Sequence, residues 1–147
     1  MKIGHVHLKV RNLKRSEAFY RELLGAHETE RVNGHFVFLS MGESHHELAL
    51  QEIGEAGRLP TPDTVGLYHS AFEVADSTEL LTAIERVKQL ETPYVLVDHG
   101  ISWAVYFSDP DGNGVEVYLD RRDAPHGAKD WSGKSRKLSI HEIENAR

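Results

Sequence analysis

The sequence contains no cysteine. Disulfides, thiolate metal sites and thiol nucleophiles are therefore excluded within this chain. No apolar run approaches the roughly 20 residues that cross a bilayer, so no membrane partner is expected. The N-terminal stretch MKIGHVHLKV alternates like a strand and lacks the apolar centre of an export signal. The expected location is the cytoplasm. Basic residues are in the minority, 17 Lys and Arg against 23 Asp and Glu, for a net charge of −6 at pH 7. No basic cluster offers the positive face that phosphate neutralisation needs, so no nucleic-acid partner is expected. Histidine is what the sequence has in quantity, ten in 147 residues. Where thiols are missing, imidazole and carboxylate are the remaining strong transition-metal donors. The length suits one domain or two small fused repeats.

Two halves of the sequence repeat one order of patterns. In the first, Ile3 to Val10 alternates, with His5, His7 and Lys9 opposite Val6, Leu8 and Val10. A helix follows, with Asn12 as N-cap, Phe19 and Leu23 spaced i, i+4, and Gly25 closing it. Phe36 to Leu39 reads as a short strand and Glu47 to Ile53 as another. Gly54 to Gly66, rich in glycine and proline, reads as a connector. The second half opens with the alternating run His69 to Val74. Asp76 and Glu79 then form a capping box, and Leu80, Ile84, Val87 and Leu90 give a helical stripe. Tyr94 to Val97, Ala104 to Phe107, the turn DPDGNG and Val115 to Leu119 complete it. His5 stands before Val10 as His69 stands before Val74, and Glu47 in HELAL matches Glu116 in VEVYL. This is a repeat of about 60 residues.

The expected fold class is α+β. Two βαβββ modules form a partly open, barrel-like sheet around a concave metal site. One domain covers 1–120, with module one at about 1–53, a linker at 54–65 and module two at about 66–120; 121–147 is a C-terminal extension. If the apolar face of each strand meets a helix, the opposite face lines the concavity. Alternation then gathers His5, His69, Glu116 and Tyr106 on one surface. A lone strand histidine is usually just a tolerated polar residue. Two at equivalent positions with a carboxylate beside them read as a metal donor set. His7 shares the face and rivals His5. His27, His35, His45, His126 and His141 read as loop or tail residues, and His46 as facing the helix side, half buried.

The stretches GHVHLKVRNLKRSEAFYRELLG, GLYHSAFEVAD and VYFSDPDGNGVEVYLD together resemble the vicinal oxygen chelate superfamily over roughly residues 3 to 120. That group holds glyoxalase I, extradiol ring-cleaving dioxygenases, fosfomycin resistance transferases and bleomycin resistance proteins. The resemblance implies a divalent metal on His5, His69 and Glu116, with His7 as a pocket residue. DHGISWAVYFSDPDGN and HHELAL are most similar to the ring-cleaving dioxygenases. On that likeness His99 is the acid/base histidine and Tyr106 the tyrosine that hydrogen-bonds substrate oxygens. The metal it implies is Fe(II) first, with Mn(II), Zn(II) or Ni(II) open. The implied substrate is a small catechol-like aromatic, and the implied assembly a homodimer. The chain carries one double module where many such enzymes carry two in tandem.

Two other functions fit the same resemblance. A glyoxalase-type isomerase takes a fourth metal ligand from the end of module one, where Glu47 stands. A drug-binding resistance protein needs no metal triad. Trp131 is the single large anchor expected in the charged tail.

Overall fold

The structure, a computed structural model, describes residues 2–146. They divide into two compact units. One runs up to Gly66 and includes Asp109–Asn113; the other comprises Leu67–Ser108 and the chain from Gly114 onward. No helix among the described residues is long and apolar enough to cross a membrane.

Unit one contains β1 (Val6–Val10), α1 (Leu13–Leu24), β2 (His27–Val32), β3 (Phe36–Ser40) and β4 (Leu48–Glu52), in the sheet order β1-β4-β3-β2. The alternation of the first strand sets its burial. Leu8 and Val10 are buried while His7 and Lys9 are exposed. Asn12 caps α1 by accepting from the Arg15 amide at 2.9 Å. Gly25 ends the helix at φ 65°, a left-handed position that suits glycine. Glu52 at the end of β4 accepts the Leu13 amide at 2.8 Å, satisfying a free donor of the first turn. Leu13, Phe19, Tyr20 and Leu23 are buried, each apolar side chain stabilising the fold by about 1.5–3 kcal/mol.

The turn between Ser108 and Gly114 belongs to unit one. Asp109 folds it by accepting the Asp111 and Asn113 amides, each at 2.9 Å. The turn then meets the start of α1. Asp111 accepts from the Arg11 amide at 3.0 Å, Arg15 Nη2 at 2.6 Å and Ser16 Oγ at 3.2 Å. The Tyr20 hydroxyl donates to Asp109 Oδ2 at 2.9 Å. Burial, then the Asp109 charge, pushes the Tyr20 hydroxyl well above its usual range. The two aspartates of DPDGN are thus buried charges with full partners, and their role is architectural.

Unit two contains β5 (Ser70–Val74), α2 (Ser77–Gln89), β6 (Val95–Asp98), β7 (Ser102–Ser108), β8 (Gly114–Asp120), β9 (Arg136–Lys137) and α3 (Ile140–Glu144). Its sheet order is β5-β8-β7-β6-β9. Asp76 caps α2 through the Thr78 and Glu79 amides, and the Glu79 carboxylate reaches the Ala75 amide. Leu80, Ile84 and Val87 are fully buried.

Each unit has the βαβββ order, with its first strand parallel to its last. The class is α+β, with sheets of four and five strands that do not close into a barrel. Several local expectations need correcting. β2, the third-last strand of the expected βαβββ module, begins at His27, which read as a loop residue. Its five charged or polar residues are exposed because it is an edge, and a register shift between Glu28 and Glu30 disturbs its pairing. His5 and His69 each stand immediately before a strand, not within it. The tail residue Trp131 is 57% exposed; the buried anchors are Leu138 and Ile143.

Candidate active site

The site in unit two is built by strand register. β5 and β8 place Ala71 beside Glu116, and β7 and β8 place Tyr106 beside Glu116. Alternation therefore aims Ala71, Tyr106, Glu116 and Tyr118 to one face, as the pattern of each strand predicts. That face lines a cavity of about 510 Å³, closed further by Ile101 and Trp131. Gly114 opens β8 against the residues before β5. A side chain there would come within 2.3 Å of the Tyr68 carbonyl and 3.1 Å of His69 Cβ. Glycine lets His69 reach Glu116.

Five side chains form one continuous series. His69 Nε2 lies 2.9 Å from Glu116 Oε2. Tyr106 donates its hydroxyl proton to Glu116 Oε1 at 2.5 Å. His99 Nε2 lies 2.9 Å from the same hydroxyl oxygen, and His99 Nδ1 lies 2.6 Å from Ser135 Oγ. Glu116 is only 8% exposed, and a buried carboxylate is costly without partners. Burial, then the bond to Glu116, pushes the Tyr106 hydroxyl above its ordinary range, so Tyr106 stays a donor. Farther along β8, Tyr118 donates to Glu73 at 2.9 Å and is pushed up to about 12, by burial first and Glu73 second. The β6–β7 hairpin holds His99 by the bond from its amide to the Ser102 carbonyl at 2.9 Å, with Gly100 at φ 78°.

The donors suit a metal. Two ligands at roughly 2.1 Å from one ion, on neighbouring octahedral corners, stand about 3.0 Å apart. His69 Nε2 and Glu116 Oε2 are already at 2.9 Å. His69 Nδ1 is buried with no hydrogen-bond partner. An imidazole nitrogen and a carboxylate oxygen are the set that Fe(II), Mn(II), Zn(II) and Ni(II) share.

Sequence reasoning placed Tyr106 and Glu116 on one face with His69 beside them, and unit two has them in contact. His5 lies in unit one, exposed, its ring 4.4 Å from that of His46. Among the described residues no group of three His, Asp or Glu side chains stands ready to hold a metal ion. His46 does not face the helix side: it packs against His5 and Phe38, with ring centroids 4.9 Å apart in the latter pair. Glu47 is not the counterpart of Glu116. Register pairs His7 with Ala49 as it pairs Ala71 with Glu116, so the equivalent of Glu116 is Ala49. Glu47 stands before β4, and its carboxylate accepts the Met41 amide at 2.9 Å. Ser135 is a site residue that sequence reasoning missed, because it lies in a tail with no periodic pattern; Trp131, expected as the tail's anchor, lines the cavity.

Known proteins are similar to this chain in sequence and fold. Residues 2–117 match the Glyoxalase/Bleomycin resistance protein/Dioxygenase superfamily. The sequence is 36% identical over 119 residues to a catechol-2,3-dioxygenase of Bacillus subtilis (strain 168), covering 81% of this chain and 41% of that protein. It is 36% identical over 137 residues to biphenyl-2,3-diol 1,2-dioxygenase 3 of Rhodococcus globerulus, covering 88% and 69% respectively. A manganese-dependent 2,3-dihydroxybiphenyl 1,2-dioxygenase of Geobacillus genomosp. 3 is 29% identical over 135 residues, 87% of this chain and 40% of that protein. The chain thus spans about two fifths of two of these relatives. A crystal structure of a glyoxylase/bleomycin resistance protein/dioxygenase domain from Frankia sp. EAN1pec is similar with a TM-score of 0.74 at 25% identity, covering 88% of this chain and 98% of that one. The repeated βαβββ order, the DPDGN turn and these matches agree: the chain belongs to the glyoxalase/bleomycin resistance protein/dioxygenase superfamily.

Proposed function

We propose that the protein is an extradiol-type dioxygenase that opens a catechol-like aromatic ring with dioxygen. The observation that carries this reading is the unbroken series His99–Tyr106–Glu116–His69, whose first three members line the cavity. His5, His69 and Glu116 would hold a divalent metal, Fe(II) by preference, with Mn(II), Zn(II) or Ni(II) as alternatives. When bound, the metal supplies open positions at which two adjacent diol oxygens and dioxygen meet.

The chain's own residues do the rest. Glu116, oriented by the short bond from Tyr106, keeps one oxygen turned to His69. The Tyr106 hydroxyl lies at the cavity wall, where its proton, once turned from Glu116, can steady a developing oxyanion. His99 Nε2 faces the Tyr106 oxygen at 2.9 Å. As the histidine on the cavity wall, His99 is the group to take a proton from a diol and return one at cleavage. Ile101, Ala71 and Trp131 give the cavity apolar walls for a ring. A glyoxalase-type isomerase would need a fourth ligand from module one, and Glu47 is occupied at its own hairpin. A homodimer and a cytoplasmic location are part of the same reading; sedimentation analysis checks the first.

The test is anaerobic purification, loading with Fe(II) or Mn(II), and a screen of catechol and 2,3-dihydroxybiphenyl for yellow ring-opened products. Oxygen-dependent yellow product is expected. Colourless reactions with both metals, alongside turnover of a hemithioacetal, would replace this reading with the isomerase.

A further inference from the structure

The tail from Arg121 onward reaches His99 through Ser135. Ser135 Oγ lies 2.6 Å from His99 Nδ1, across 36 residues of sequence. The segment carrying Ser135 is anchored on both sides. β9 pairs with β6, setting Arg136 opposite Asp98, and the two side chains form an ion pair at 2.6 Å. Leu138 follows, buried to 1% exposure, and α3 opens with a capping box of Ser139 and Glu142. On the other side, the Trp131 indole donates to the Lys134 carbonyl at 3.1 Å, and its ring stands edge-on to His99 at 6.2 Å.

Hydrogen bookkeeping fixes the direction of every bond in the series. The Glu116 carboxylate can only accept, so the single Tyr106 hydroxyl proton is committed to it. The Tyr106 oxygen must then accept from His99, and Nε2 must carry the hydrogen. A neutral imidazole with hydrogen on Nε2 has a bare Nδ1, which needs a donor. Ser135 is the group in place to give one.

We infer that Ser135 is a positioning residue that holds neutral His99 in its Nε2–H tautomer, aiming that hydrogen at Tyr106. The tail is thereby a working part of the site. Without Ser135 the ring can move its hydrogen to Nδ1 or rotate, and the bond to Tyr106 loses its donor. The inference about catalytic consequence rests on the proposed dioxygenase reading; the tautomer itself does not.

The experiment is two-bond ¹H–¹⁵N NMR of the histidine rings in the full-length protein at pH 8, metal-free and with Zn(II) as a diamagnetic probe. His99→Gln assigns the resonances. Wild type is expected to show His99 as the Nε2–H tautomer. Ser135→Ala is expected to give a tautomer mixture, and Ser135→Thr, which keeps the hydroxyl, to restore the wild-type pattern. With a ring-cleaved diol in hand, kcat of Ser135→Ala should fall about threefold to tenfold, the usual worth of one hydrogen bond, at unchanged KM. An Nδ1–H or doubly protonated ring in wild type, or an unchanged ring in Ser135→Ala, overturns the inference. The expected tautomers with no diol cleaved would uphold Ser135 and sink the dioxygenase reading instead.

Discussion

The two units share a topology and differ in what their strands carry. At the place where unit two pairs Tyr106 with Glu116, unit one pairs Phe38 with Ala49. Ala49 is 1% exposed and belongs to the core, whereas Glu116 is a buried charge facing a cavity. In unit one His5 stands at the strand entrance and His46 in the loop before β4, and their rings meet at 4.4 Å. Duplicating βαβββ therefore duplicates the frame without duplicating the chemistry. The difference lies in the identity of two cross-strand residues.

Removing the carboxylate that distinguishes unit two has the largest expected effect. Glu116→Ala should lower metal affinity by more than about 100-fold, beyond the usual cost of a supporting residue, with ring cleavage lost. The converse substitution, Ala49→Glu, buries an unpaired charge in unit one and should cost about 3–5 kcal/mol, read as a lower Tm. His99→Ala should leave metal content intact and slow ring cleavage by about 10²–10⁴-fold, the range for a lost acid/base group. Tyr106→Phe gives unit two the aromatic that unit one has. It should preserve metal content while lowering kcat by about 10²-fold, as for a lost oxyanion donor.

Two smaller effects concern support. Gly114→Ala forces a methyl toward the Tyr68 carbonyl. It should lower stability by about 1–3 kcal/mol and weaken metal binding, because His69 is displaced from Glu116. Glu142 is held at about 2, from an ordinary 4.5, by Arg136 first and then by the Ser139 amide and hydroxyl. A depressed carboxyl contributes stability that is complete above about pH 4.5 and is lost as pH falls toward 2. The protection factor of the Leu138 amide against exchange, relative to its intrinsic rate, should therefore fall across that window in wild type. Glu142→Gln should lack that dependence.

The elements with strong local chemistry were readable from the sequence. Asn12, Gly25 and Asp76 mark helix ends because each satisfies a backbone group that only a few residue types can satisfy. The alternation in β7 and β8 disclosed the cavity face because one side of each strand is apolar. β2 was hidden by its exposed, charged edge. The tail was hidden because its hold on unit two rests on Leu138 and Ile143, two apolar residues in a polar stretch. The match of Glu47 with Glu116 failed for a physical reason. Strand pairing sets equivalence, and the paired positions leave Glu47 two residues outside.

Metal content after alanine substitution decides whether this family frame is a working metal enzyme. Wild type, His5→Ala, His69→Ala, Glu116→Ala and His7→Ala would be purified anaerobically, loaded with Fe(II) and assayed for bound iron. The expected result is about one equivalent in wild type and in His7→Ala, and loss in the other three, as removal of a ligand from a three-ligand site requires. Unchanged iron in His69→Ala, or loss in His7→Ala with retention in His5→Ala, would contradict the assignment.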